Sequence, residues 1–444
     1  MPKIISNKSN VDLDYPVVRP SLDLDFTQEE LDPRITFSRG SIGTRVNRNR
    51  LIETVAANQP RFDYDPVTGE CKGLLIEESR VNSWINSGQS NVTGWNTGGV
   101  TLSFDNTVTA PDGTTNTIKC VETNTFTSGK NINQSISVTS GTSYTFSIFA
   151  KQPENSPLRY FSILFWNTGF TTYQIVTFDP KNGTVLFNQG GNTTFVEKYP
   201  NGWWRFGVTA TATATAAVPF NIRFTNSISS SANPPYGLGG PYGNYTGDGS
   251  SFLYFYGPQV ENGAFMTSFI PTTTAVTRSA DLASMTGTNF SSWYNQSEGT
   301  VYSNTRMNGV QTGRYDRLWA ITNSNLNLEG ISVFVAGPAG VSGGYVSSIT
   351  ITNSATEQII GTLVESAITT PNLRSAFAFA TNNSASAYNG NLRFVDKSAI
   401  LLSNPDRLLI GQPQRFQGTS CMTISRLTYY PRALKPSQLQ YLTQ

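Results

Sequence analysis

The chemistry open to this chain is narrowed first by a missing residue type. None of its 444 residues is histidine, which removes the commonest general base and the commonest metal ligand. Gly340-Val341-Ser342-Gly343-Gly344 matches the G-x-S-x-G spacing of a nucleophile turn, but a serine nucleophile needs a base to take its proton. The stretch therefore reads as a Gly-rich hairpin turn. Cys71, Cys120 and Cys421 are odd in number, far apart and free of C-x-x-C spacing, so neither a disulfide framework nor a zinc site is expected.

Cleavage of a glycan needs two carboxylates roughly 5–10 Å apart. After residue 82 there is no E-x-D-x-E-like string; Asp179, Glu261, Asp281, Glu298, Asp316 and Asp396 stand alone and read as solvated turn residues unless the fold brings them together. Glycan binding asks for something different: exposed rings on which sugar C–H faces dock, with amides and hydroxyls to fix orientation. Trp203 and Trp204, in "NGWWR", fall within an alternating strand, so at least one of the two rings is expected in a core. Tyr236, Tyr242 and Tyr245 stand in "NPPYGLGGPYGNYTGDGSS", whose glycines and prolines suit a surface loop that presents rings to a glycan or to a neighbouring subunit. Asp248, in the same stretch, is a weak calcium candidate. No cofactor is expected.

The elements that must position these residues read as all-β. Charged residues make up 14% of the chain, and Ser, Thr, Asn and Gly fill much of the remainder, which favours strands joined by turns over helices. The length implies two or three domains. Residues 1–82 hold 11 Lys/Arg and 13 Asp/Glu, 24 of the 60 charged residues, but too few apolar residues for a large core of their own. This segment is expected as extended chain and hairpins, with a turn at Asp65-Pro66-Val67-Thr68-Gly69, that gain order by packing on something else.

From residue 83 strands follow in series. "SYTFSIFAK" puts Tyr144, Phe146, Ile148 and Ala150 on one face, and Asp179-Pro180-Lys181-Asn182-Gly183 reads as a hairpin turn. A second series runs from about Asn289 to a short terminal helix with Pro436 in its first turn and Leu439 and Leu442 inward. The expected organisation is an N-terminal attachment segment (1–82), a jelly roll (83–282) and a second β-sandwich (283–444). The seam from Thr272 to Leu282 is expected to be exposed and open to cleavage near Arg278. A net charge of +2, without basic runs, argues against a nucleic-acid partner, and no apolar stretch is long enough to insert in a membrane as a helix.

"LDLDFT", "DPRITFSRGSIGTRVNRNRLIE" and "RFDYDPVTGECKGLLIEESRVN" resemble the N-terminal region of structural proteins of tailed bacteriophages, especially marine and cyanobacterial ones. "NGWWR" and "FYGPQVENGAFMTSFIPTTTAVTRSAD" are similar to carbohydrate-binding-module-like jelly rolls of phage head spikes and tail fibres. "SAYNG", "LLIGQ" and "ISRLTYYPRALKPSQLQYLT" resemble concanavalin A-like (laminin G-like) sandwiches. Arg50 departs from the pattern, which places a glycine before "LIE". The resemblance implies a non-enzymatic virion structural protein, a head or tail fibre, spike or capsid decoration, made in the host cytoplasm and acting in host adhesion. Its implied partners are other phage structural proteins and host surface polysaccharide, and it implies a homo-oligomer, often a trimer. Arg34, Arg39, Arg45, Arg61 and Asp63 are the attachment contacts expected in the first segment. The alternatives are a tailspike glycan depolymerase and an architectural decoration without ligand.

Overall fold

The structure, a computed structural model, describes residues 18–88, 91–127, 129–226, 245–310, 314–324, 330–336, 345–347, 350–353, 356–359, 372–396, 404–412 and 419–444. It is nearly all β and contains two sandwiches of antiparallel sheets. In the first sandwich, one six-stranded sheet is ordered Thr193–Lys198, Trp204–Thr211, Ser143–Lys151, Phe252–Asn262, Thr117–Glu122, Val100–Asp105. The facing sheet is ordered Thr184–Gln189, Gln174–Asp179, Tyr160–Phe165, Ala216–Thr225, Asn131–Val138, Asn96–Gly98. The period-2 reading of "SYTFSIFAK" holds: Tyr144, Phe146, Ile148 and Ala150 all enter the core between these sheets, while Phe149 leaves on the opposite face for a second aromatic cluster. The turn after Asp179 forms as read, with Gly183 at φ 66° and its N–H donating to the Asp179 carbonyl at 2.9 Å.

The second sandwich draws on both ends of the chain. Strand Cys421–Tyr430 lies inside an eight-stranded sheet. One of its edges pairs with Glu298–Gly309; the other is shared by Leu22–Asp25 and Cys71–Ile76, two strands of the N-terminal segment. Strand Thr36–Ser38 joins the opposite sheet beside Leu282–Thr286. Leu22, Leu24, Phe26, Phe62, Leu74 and Ile76 are buried in the same core as Val301, Trp319, Phe377 and Ile410. The partner on which residues 18–82 become ordered is thus the chain itself: the second sandwich for these residues, and the first sandwich for Val46, Ile52 and Tyr64, which pack with Phe149, Trp203 and Tyr256. The segment's apolar residues are few because they complete a core rather than build one. The terminal helix, Pro436–Leu442, covers the outer face of the eight-stranded sheet, where Ala376, Ala378, Ala385 and Ala387 leave room for Leu439.

The first sandwich is consequently an insertion, and its two connections run side by side. Arg80–Asn82 pairs antiparallel with Val276–Arg278. The buried Asn82 amide secures both: Nδ2 donates to the Ile270 carbonyl at 2.9 Å, and Oδ1 accepts from the Val260 and Trp84 N–H groups at 3.0 Å. The seam is only partly open. Thr273 to Ala275 are exposed, but Arg278 is 1% exposed and Asp281 is fully buried, which overturns the expected cleavage at Arg278. The cause is electrostatic, because these two residues belong to an internal ion cluster.

Candidate functional site

That cluster forms the floor of the junction between the sandwiches. Asp281 accepts from Arg39 at 3.0 Å, from Arg61, and from the Glu77 N–H at 2.9 Å. Glu77 pairs with Arg61 at 2.8 Å and Arg278 at 3.0 Å, and accepts from the Ser268 N–H and hydroxyl at 2.7 and 2.6 Å. Burial by itself would raise the Glu77 carboxyl; Arg278, Arg61 and the Ser268 hydrogen bonds override it and hold the group at about 2. Five charged side chains, Arg39, Arg61 and Glu77 from the N-terminal segment and Arg278 and Asp281 from the seam, thereby pair with one another out of contact with water.

Above the floor a cavity of about 360 Å³ opens between the sandwiches, with Asp63, Asp65, Lys72, Glu197, Lys198 and Arg306 in its walls. It continues into a second cavity of about 600 Å³ on the outer face of the eight-stranded sheet. Asp65, Lys72 and Arg306 line both, so the two form one groove. Asp63 pairs with Lys72 and accepts from the Val46 N–H at 2.8 Å. Asp65 caps the expected turn, accepting from the Val67 and Thr68 N–H groups at 2.8 and 2.9 Å. Burial pushes its carboxyl up, but these amides and the charges of Lys72 and Arg306 outweigh it and leave the group below the usual range.

On the outer face, strand pairing sets a polar pattern. Arg306 lies opposite Asn372 on one side and Thr423 on the other, and Asn304 lies opposite Arg374. A bulge at Ser425 interrupts the register beside Gly73. Gly73 has φ 99°, and a Cβ there would stand 2.1 Å from the Ile424 carbonyl oxygen, so only glycine lets the two strands approach at this point. The polar groups this pattern contributes are guanidinium, amide and hydroxyl, with Asp65, Glu70 and Lys72 at the edge of the cavity.

The residues singled out from the sequence fall in different places. Arg45 and Asp63 line the junction cavity, where Arg45 also pairs with Glu53 at 3.3 Å. Arg39 and Arg61 are buried in the ion cluster and have no guanidinium to offer another protein. Arg34 pairs locally with Asp32 at 2.7 Å. Trp203 is core, its Nε1 donating to the Thr109 carbonyl at 2.8 Å. Trp204 is half-buried, with the Lys198 ammonium 5.6 Å from its ring centre. Tyr236 and Tyr242 lie outside the described residues. Tyr245 is 5% exposed rather than presented: its hydroxyl donates to the buried Glu122 carboxylate, and Lys130 sits 5.3 Å over its ring. Asp248 accepts from Ser250, from Ser251 and, at 2.9 Å, from Arg159. A cation position beside Asp248 is thus filled by a guanidinium. Among the described residues no group of three or more acidic or cysteine side chains is placed to hold a metal ion.

Sequence reasoning missed Asn304, Arg306, Asn372 and Arg374. The available signal was parity: in "VYSNTRM" the positions of Asn304 and Arg306 alternate with the inward Val301, Ser303, Thr305 and Met307. Parity alone does not say which strand lies alongside.

No protein-family model matches the sequence, and no curated protein sequence does. Solved structures with similarity include domain 4 of AbnA, an extracellular GH43 arabinanase from Geobacillus stearothermophilus in complex with arabinotriose, at TM-score 0.29 and 13% identity over 37% of this chain and 73% of that one. The CBM40 of Ruminococcus gnavus IT-sialidase, bound to α2,3-sialyllactose, gives 0.29 and 13% over 35% and 88%. Trypanosoma rangeli sialidase gives 0.25 and 10% over 74% and 60%. Scores of this size leave the chain's ligand to be read from its own residues.

Proposed function

We propose that this chain is a non-enzymatic glycan-binding protein of a bacteriophage particle, which holds host surface polysaccharide in the groove between and beside its two sandwiches. The observation that carries the glycan reading is the lining of the groove's outer-face part: amides, hydroxyls and guanidinium groups arranged by strand pairing, with the acids of the turn at its edge. Such groups exchange hydrogen bonds with sugar hydroxyls at little desolvation cost beyond that of water. Asp65, at the edge of the groove, is held below the usual carboxylate range, which suits acceptance of hydroxyl hydrogen bonds and not proton donation to a leaving group. The particle reading is supported by the resemblance of "PRITFSRGSIGTRVNRNRLIE" and its neighbours to phage structural proteins. Because residues 18–82 are spent on the chain's own sheets, attachment is assigned to residues 1–17 and the surface around Arg34.

The test is binding of the full chain to a panel of bacterial surface polysaccharides, with Asn304→Ala as the groove variant and release of reducing ends followed in the same samples. Binding that Asn304→Ala weakens, without release of reducing ends, supports the reading. Sustained release would establish the depolymerase alternative, and absence of binding across the panel would leave an architectural decoration.

A further inference from the structure

We propose that the outer-face part of the groove takes an acidic polysaccharide, one carrying carboxylate or sulfate groups, with Arg306 and Arg374 as its anion contacts. The inference rests on the glycan-binding reading and narrows its substrate class. Both arginines are exposed and sit on adjacent paired strands, two residues apart in register, since Arg306 faces Asn372 and Arg374 faces Asn304. Side chains so placed are diagonal neighbours, with Cα atoms about 7–8 Å apart, close enough for one anionic group to reach both guanidinium groups.

Asp65 feels the charge of Arg306, but among the described residues no aspartate or glutamate forms an ion pair with either guanidinium. Arg306 forms no hydrogen bond or ion pair among the described residues. Arg374 donates one N–H to a main-chain oxygen of Gln444, which leaves the other arm of its fork for a ligand. The acids at this cavity, Asp65 and Glu70, belong to the turn at its edge; Asp65 Oδ1 is taken by two backbone amides, and Lys72 is paired with Asp63. Arg306 contrasts with Arg39, Arg61, Arg159, Arg314 and Arg426, all of which have carboxylate partners. A guanidinium binds carboxylate or sulfate through two parallel hydrogen bonds, a geometry that a neutral sugar does not reproduce. The amides of Asn304 and Asn372, interleaved with the two arginines, then fall beside the hydroxyls that flank an acidic group. A cavity of about 600 Å³ is within the size range of small-ligand sites.

The experiment measures retention of the full chain on immobilised polygalacturonate, carboxyl-reduced polygalacturonate, dextran sulfate and plain dextran at about 0.15 M salt, where only near contacts between charges persist. Wild type, Arg306→Gln and Arg374→Gln are compared, with Arg48→Gln as a control for bulk charge, since Arg48 is exposed on the N-terminal hairpin. The expected result is retention on one or both acidic polymers and not on their uncharged counterparts, weakened tenfold or more by each groove variant and unchanged by Arg48→Gln. Polygalacturonate against dextran sulfate decides which anion is preferred. Equal retention on acidic and neutral polymers, or groove variants that bind as wild type, overturns the acidic class. If binding persists on neutral polymer and Asn304→Ala removes it, the acidic class falls and the glycan reading stands. Retention on none of the four overturns the acidic class, and the glycan reading falls with it only if the wider panel also fails. Both arginines are exposed, so melting temperatures of the variants are expected to match wild type and to separate lost contacts from lost fold.

Discussion

Arg61 and Asp281, 220 residues apart in sequence, form an ion pair with both side chains fully excluded from water. A buried pair of this kind contributes little relative to well-packed apolar residues, but removal of one partner leaves the other uncompensated. Asp281 serves Arg39, Arg61 and the Glu77 N–H at once. Asp281→Asn is therefore expected to destabilise the fold by about 3–5 kcal/mol, read as a lowered midpoint in denaturant. A shift under about 1 kcal/mol would mean that water reaches the cluster.

The same cluster makes stability depend on acid. Glu77 is held at about 2, below its ordinary value of 4.5, so the unfolded chain binds a proton that the folded chain refuses. The contribution of this group is complete above pH 4.5 and is lost as pH falls from 4.5 toward 2. The loss is of the order of 3 kcal/mol from this residue. Denaturant midpoints measured across that window should fall steeply in wild type and less steeply in Glu77→Gln, which will itself be less stable at neutral pH.

Fragments separate the two sandwiches unequally. All the buried residues of the first core lie between Trp84 and Val260, so residues 83–270 are expected to melt cooperatively on their own. Residues 283–444 lack Leu22, Leu24, Phe62, Leu74 and Ile76 and are expected to remain unfolded or to aggregate. A chain starting at residue 18 should retain the wild-type melting temperature, whereas one starting at residue 83 should lose the second transition. Circular dichroism on the four chains decides the matter.

Arg50 occupies a position with φ 65°, where an L side chain is strained and glycine is not. It closes the turn between Gly43–Val46 and Ile52–Val55, its N–H donating to the Asn47 carbonyl at 2.8 Å. Arg50→Gly is expected to raise stability by up to about 1 kcal/mol, relief of strain being partly offset by the freedom glycine gains when unfolded. A small rise in melting temperature with unchanged polysaccharide binding is the expected readout.

Much of the local structure was legible in the residues. Alternation placed Tyr144, Phe146, Ile148 and Ala150 on one face, Asn-Gly marked the turn after Asp179, and Pro436 marked the start of the terminal helix, because each depends on neighbours within a few positions. The second sandwich was not legible in this way. Nothing near Leu22 in sequence says that its partner is Tyr429. Arginine reads as surface because an isolated buried guanidinium is prohibitive, and only the assembled Glu77 and Asp281 make burial of Arg39 and Arg61 tolerable. Tyr245 misled for a similar reason: glycines and prolines around it imply a loop, but its position was decided by a buried carboxylate, Glu122, that needed a donor.

The N-terminal strands meet their partner very late. Asp23 pairs with Arg426, 403 residues further on, so at a synthesis rate of about 5–20 residues per second the first strands wait some 20–80 s for the strand that completes their sheet. During that interval Leu22, Leu24, Leu74 and Ile76 face water or a chaperone, and two unpaired strand edges are available to other nascent chains. The inserted sandwich shortens the search. Once it folds, Arg80–Asn82 and Val276–Arg278 lie side by side, and a loop of nearly two hundred residues becomes a rigid link with its ends already joined. Ribosomes translating this message should therefore carry a protease-resistant first sandwich well before the chain is complete, with the N-terminal segment still cleavable until the final strand emerges.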